Sequence, residues 1–189
     1  MRFFWILVGS FSLVILLTVA FLGFNKPKTT TPNTTKKAVV MSDFATTAAK
    51  VSYTVEGIVN GNEAHRAIRI TIDKNSRMLE VIAGYQGTVI QTQSFANNSD
   101  AFKVFLAALQ KQGFLVQRVK PTVTDILGQC AFGQKYIYNT FGITDAPNYL
   151  WSASCPKIGT FNGSQPGVQL LFRNQIPGYS ALVSGVNLQ

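Results

Sequence analysis

The chain has 189 residues, 47% of them hydrophobic, and 17 Lys and Arg against 8 Asp and Glu give a formal net charge of +9. Arg2, Lys26, Lys28, Lys36 and Lys37 lie ahead of residue 38 and every acidic residue lies after it, so the rest of the chain carries only +4, with no Lys/Arg cluster. That distribution excludes a nucleic-acid reader, which shows clustered basic side chains, and 1 His with 2 Cys outside any C-x-x-C excludes a His/Cys zinc centre.

Residues 3–24 read FFWILVGSFSLVILLTVAFLGF, without a charge or a proline. As a helix this run is about 33 Å long, enough for a hydrocarbon core of about 30 Å. A secretory signal has a shorter apolar region and a small-residue cleavage site; this run is longer and ends without A-x-A. It reads as an uncleaved single-pass anchor in the lipid bilayer, with Phe3, Phe4 and Trp5 at one interface and Phe24 at the other. Counting the lysines that follow would put the C-terminal side in the cytoplasm. The linker and the cysteines argue the other way, and the expectation is a cell-membrane protein with its C-terminal domain outside the cytoplasm.

Residues 25–37, NKPKTTTPNTTKK, hold no large apolar side chain. Such a segment cannot offset its ordering entropy by burial and reads as a flexible tether. Residues 38–189 then form one domain of ordinary size, long enough for its own core.

The domain begins with a weak helical signal over residues 39–50, with Ser42 as N-cap. Residues 51–59 alternate, Val51, Tyr53 and Val55 on one face and Ser52, Thr54 and Glu56 on the other, which marks a half-buried strand. Arg66–Asp73 alternates likewise with Ile68, Ile70 and Ile72 inward, and residues 77–83 and 88–95 supply two more strands after tight turns. Four short strands in succession imply an antiparallel meander with one face on the core. The period then changes: Phe102, Phe105, Leu106 and Leu109 follow i, i+3, i+4, i+7, with Ser99 as N-cap and Gly113 at C′, so a helix over about residues 100–112 covers the sheet. Residues 114–119, 130–141, 149–155, 168–173 and 181–188 read as further strands, and 157–167 as a glycine-rich loop. The fold class is α+β: a mainly antiparallel sheet, one covering amphipathic helix and further C-terminal strands.

Cys130 and Cys155 close a loop of about 26 residues. In an exported domain an even cysteine count points to a disulfide; two buried thiols would be the cytoplasmic alternative.

The residues for familiar catalytic sets are missing. The single His65 stands beside a turn and reads as a solvated turn residue, there is no G-x-S-x-G, and no Gly-Lys-Ser/Thr completes a phosphate loop. Glu56, Glu63 and Glu80 are the acids from which a carboxylate-dependent hydrolase would have to draw its pair, and none stands out as paired. No cofactor motif is present. Tyr136, Tyr138, Tyr149 and Trp151, on two strands inside the disulfide loop, form the candidate partner surface, with core packing as the competing reading. The expected function is a membrane-anchored extracytoplasmic binding or envelope-complex accessory domain with a protein or cell-envelope partner. The alternative is a surface assembly subunit: an apolar N-terminal segment ahead of a sheet with a late disulfide resembles the pilin plan. However, no processing site with a following Glu precedes the apolar run, and prolines break the helix extension a pilin has.

Overall fold

The computed structural model describes residues 38–189. The apolar segment 3–24 and the tether 25–37 lie outside the described residues; among those described, no helix is long and apolar enough to cross a membrane.

Six strands form one antiparallel sheet in the order β4-β3-β2-β1-β5-β6, the strands being β1 Lys50–Glu56, β2 Arg66–Asp73, β3 Ser76–Ala83, β4 Thr88–Ala96, β5 Lys135–Phe141 and β6 Tyr149–Ala153. The first four are the expected meander. Asp73 Oδ1 closes the β2–β3 turn by accepting from the backbone N–H groups of Asn75 and Ser76, at 2.7 and 2.8 Å. After β4 the chain forms α1, Ser99–Lys111, crosses to the far side of β1 and adds β5 there, Tyr53 opposite Tyr138 and Ser52 opposite Asn139. The α+β class therefore holds.

Alternation puts Val51, Tyr53, Val55, Ile68, Ile70, Ile72, Leu79, Val81, Tyr136 and Tyr138 on one face, where they cluster with Phe102, Phe105, Leu106 and Leu109 of α1. Each such burial contributes about 1.5–3 kcal/mol. The helix starts one residue earlier than expected: Asn98 is the N-cap, its Oδ1 accepting from Ala101 N–H at 2.9 Å. It stops at Gly113, whose φ of 76° suits a left-handed C′ residue. Gln110 ties the start of the domain to α1, its amide accepting from Met41 N–H and donating to Val39 C=O. That start is a 3-10 turn, Met41–Phe44, shorter than the helix expected over residues 39–50.

Four C-terminal expectations are corrected. Residues 168–173 belong to a helix, α2, Gln165–Asn174: Ser164 Oγ caps it by accepting from Gly167 N–H at 3.3 Å, a proline opens the first turn, and Val168 and Phe172, four apart, are both buried. The run VQLLF is short enough to fit either period, and the cap and proline upstream decide for helix. Residues 181–188 give a helical turn, α3, Tyr179–Leu182, and not a strand. Residues 114–119 form no strand either: Phe114 returns to the core and only Gln117 makes an isolated bridge, to Phe161. The strand expected over 130–141 begins only at Lys135, because Cys130, at φ 50°, and Gly133 turn the chain at the disulfide.

Candidate functional site: the open face of the sheet

Among the described residues the helices cover one face of the sheet, and the other face is open over β1, β2, β3 and β5, while the segment after α1 lies over Trp151 of β6. Since alternate side chains point to opposite faces, that face takes Ser52, Thr54 and Glu56 from β1, Ala67, Arg69 and Thr71 from β2, Met78, Glu80 and Ile82 from β3, and Ile137, Asn139 and Phe141 from β5. Together with His65, Tyr85 and Tyr149 they line a cleft of about 500 Å³. The insertion of β5 beside β1 makes this possible, because it places Ile137 opposite Thr54 and Asn139 opposite Ser52 at the cleft floor.

The charges of the cleft are paired. Arg69 Nε donates to Glu80 Oε2 at 2.7 Å, and Glu80 is only 8% exposed. Lys135 Nζ lies 3.8 Å from Glu56 Oε2 and is itself buried. Asn139 Nδ2 donates to Ser52 Oγ at 3.4 Å. The floor is thus near neutral, mixing hydroxyl and amide groups with methyl and methylene surface. Tyr85, Phe141 and Tyr149 are exposed at the rim. Desolvation first, and then the negative charges of Glu56 and Asp125, push the Tyr149 phenol up to about 12.

His65 corrects the sequence reading. It is buried, not solvated, and its ring stacks on Tyr85 with centroids 4.0 Å apart and 13° between planes. Tyr85 is held there by Asn62 Oδ1, which accepts from its N–H at 3.1 Å, and by its own hydroxyl, which bonds both Asn60 C=O and Asn60 N–H. Among the described residues three buried polar side-chain atoms lack a hydrogen-bond partner, and His65 Nδ1 is one of them. A buried group of this kind costs about 1–3 kcal/mol when unsatisfied.

The four aromatics of the candidate partner surface do not form one. Tyr136 and Tyr138 point to the helix face and join the core: Tyr138 stacks on Phe161 at 4.0 Å, and Tyr136 on Tyr53 at 6.4 Å. Burial pushes the phenols of Tyr53 and Tyr138 well above the usual value. Trp151 lies on the other face but is fully buried, its Nε1–H donating to Thr124 C=O at 2.8 Å beneath the segment that follows α1. Tyr149 alone is surface-exposed, at 44%, and it belongs to the cleft rim.

The acids named as hydrolase candidates also separate. Glu63 lies away from the cleft. Glu56 and Glu80 share the open face, but β2 runs between their strands and the registers differ by two residues. Strand spacing then puts their Cα atoms about 12 Å apart, and each carboxylate already has a basic partner. Among the described residues no three His, Cys, Asp or Glu side chains gather as metal ligands.

Cys130 and Cys155 are bridged, with Cα atoms 5.7 Å apart. The bridge pins the turn before β5 to the end of β6, and Gln134 N–H donates to Ser154 Oγ at 3.0 Å alongside it. A side chain at Gly133 would strike both Ser154 Oγ and Cys130 Sγ.

The order of the sheet could not be read from sequence, because the β1–β5 pairing joins residues far apart in the chain. The polar members of the cleft are nonetheless visible as the outward set of each alternating strand. The chain matches no protein-family model, and it matches none of the curated proteins.

Proposed function

We propose that the protein is a single-pass membrane-anchored extracytoplasmic binding domain whose ligand site is the open face of the sheet. The observation that carries this reading is the cleft of about 500 Å³ with an ion-paired, near-neutral floor and tyrosines at its rim. Pockets of this size that mix apolar surface with a few fixed polar groups are the usual sites of ligand capture. Both cleft carboxylates are engaged by basic side chains, which favours binding over acid–base chemistry. The uncharged apolar run of residues 3–24 supports the anchor, and the disulfide supports an oxidising compartment.

The test has two arms in native membranes. A membrane-impermeant protease added to intact cells should digest residues 38–189; protection of the whole chain until lysis would place the domain inside and end the reading. A photo-reactive phenylalanine analogue at Tyr149 should cross-link a cell-envelope component that the same analogue at Phe132, exposed outside the cleft, does not. Equal cross-linking at both positions, or none at either, would remove the cleft as the ligand site.

A further inference from the structure

We infer that β4 is a self-pairing edge through which two copies of this chain join their sheets. The two edges of the sheet are treated differently. The β6 edge is short and already occupied: Trp151 C=O accepts from Thr160 and Phe161 N–H, both at 2.9 Å, and Ser152 bridges Gly159. The β4 edge is 9 residues long and exposed almost throughout. Among the described residues, no segment other than β3 bonds the backbone groups of residues 88–95.

Edges of monomeric sheets are normally protected by a lysine, an inward charge, a proline or a covering loop. The β4 sequence TVIQTQSFA has neither charge nor proline. One bulge, at the Val81/Ile82 step opposite, disturbs its first residues and leaves the register regular from Gln91 to Ala96.

Two observations select a second copy as the occupant. The first is charge. A two-fold antiparallel pair sets the axis residue against its own copy and brings its nearest neighbours diagonally close to theirs, so a charge at the axis would face a like charge and one beside it would lie near a like charge; the regular run has none. With Gln93 at the axis, Thr92 faces Ser94 and Gln91 faces Phe95, and no polar group meets a mismatched charge. The second is closure. With one edge occupied, the described residues offer a single free edge, so pairing through it ends at two copies and builds no fibre. The axis lies perpendicular to the sheet, so the open faces of both copies look the same way.

The full-length chain with Gln93→Cys tests this under mild oxidation. Direct opposition across a two-fold axis brings the introduced thiols within disulfide range, whereas Val104→Cys, exposed on α1, reports chance collision. The expected result is a covalent dimer at Gln93→Cys at least tenfold above Val104→Cys. Gln93→Lys, at an exposed position, should keep the melting temperature and shift sedimentation from dimer to monomer. A wild-type chain that sediments as a monomer, or cross-linking at 93 no better than at 104, overturns the inference. Neither arm depends on the cleft or on membrane orientation, so its failure is separate from failure of the binding reading.

Discussion

Arg69 and Glu80 face each other across β2 and β3, Nε to Oε2 at 2.7 Å, in the middle of the open face. The carboxylate is nearly buried while the arginine side chain keeps 39% of its exposure. Solvent therefore screens the pair on one side only, and removing the arginine leaves an acceptor that water reaches poorly. Arg69→Ala should cost about 1–2 kcal/mol, between the values for an exposed pair and a stranded buried acceptor. The double variant Arg69→Ala/Glu80→Ala should cost less than the two single changes added together, by about 1 kcal/mol. Urea unfolding of the four proteins measures the cycle, and strict additivity would show that the pair contributes nothing.

The disulfide gives a second expectation. A bridge closing about 26 residues stabilises by about 3.5 kcal/mol in the chain-entropy model. A chain beginning at Ala38 should melt cooperatively when oxidised, because the buried cluster of the described residues runs from Met41 to Ile176, with Val39 packed against it. Reduction should lower its stability by up to that amount. Peptide mapping without reductant should recover the Cys130 and Cys155 peptides linked. Two alkylated thiols in protein isolated without reductant would contradict the bridge.

Elements with a strong local period were legible from sequence. Arg66–Asp73 alternates without interruption, and its observed bounds equal the expected ones. The α1 stripe is also unambiguous, and its four apolar positions are all buried. The misreadings fall where local signals conflict. Gly167 inside α2 is a poor helix residue, and the β-branched and aromatic members of residues 168–173 weight the run toward strand. The burial of His65 depends on Tyr85, which returns beside it only after β3 has paired with β2. The cleft is a property of curvature and strand order, for which single-sequence periodicity carries no signal.

Ionisation of the buried tyrosines should make the domain alkali-labile. Burial raises Tyr53 and Tyr138 well above the ordinary phenol value, and Tyr149 reaches about 12. In the unfolded chain each loses its proton near 10. Between these values the folded state holds more protons than the unfolded state, so stability falls as pH rises. The contribution is complete below about pH 10 and drains away above it. The urea midpoint should stay level from about pH 7 to 9 and decline beyond 10. Absorbance at 295 nm should show a fraction of the 6 tyrosines ionising only on unfolding. All six titrating near 10 in folded protein would contradict their burial.

Phe105 supplies the sharpest test of the packing. It meets Phe172 edge to face, with centroids 5.2 Å apart and planes at 90°, and Phe172 in turn stacks on Tyr53 at 5.6 Å. The three rings join α1, α2 and the centre of the sheet, so truncation of the first opens a cavity that neither helix can close alone. Phe105→Ala should cost about 3–5 kcal/mol, the range for a buried phenylalanine. That is a large share of the roughly 5–15 kcal/mol that holds a domain together. Phe172→Ala should cost a similar amount, and the double variant less than the sum, because each change strips contacts from the same cluster. Lys103 is exposed on the same helix, so Lys103→Ala should stay within about 0.5 kcal/mol. If Phe105→Ala melts with the parent protein, α1 does not rest on the sheet through this stripe. The helix face would then be open to solvent, and among the described residues the cleft would no longer be set apart from a covered face.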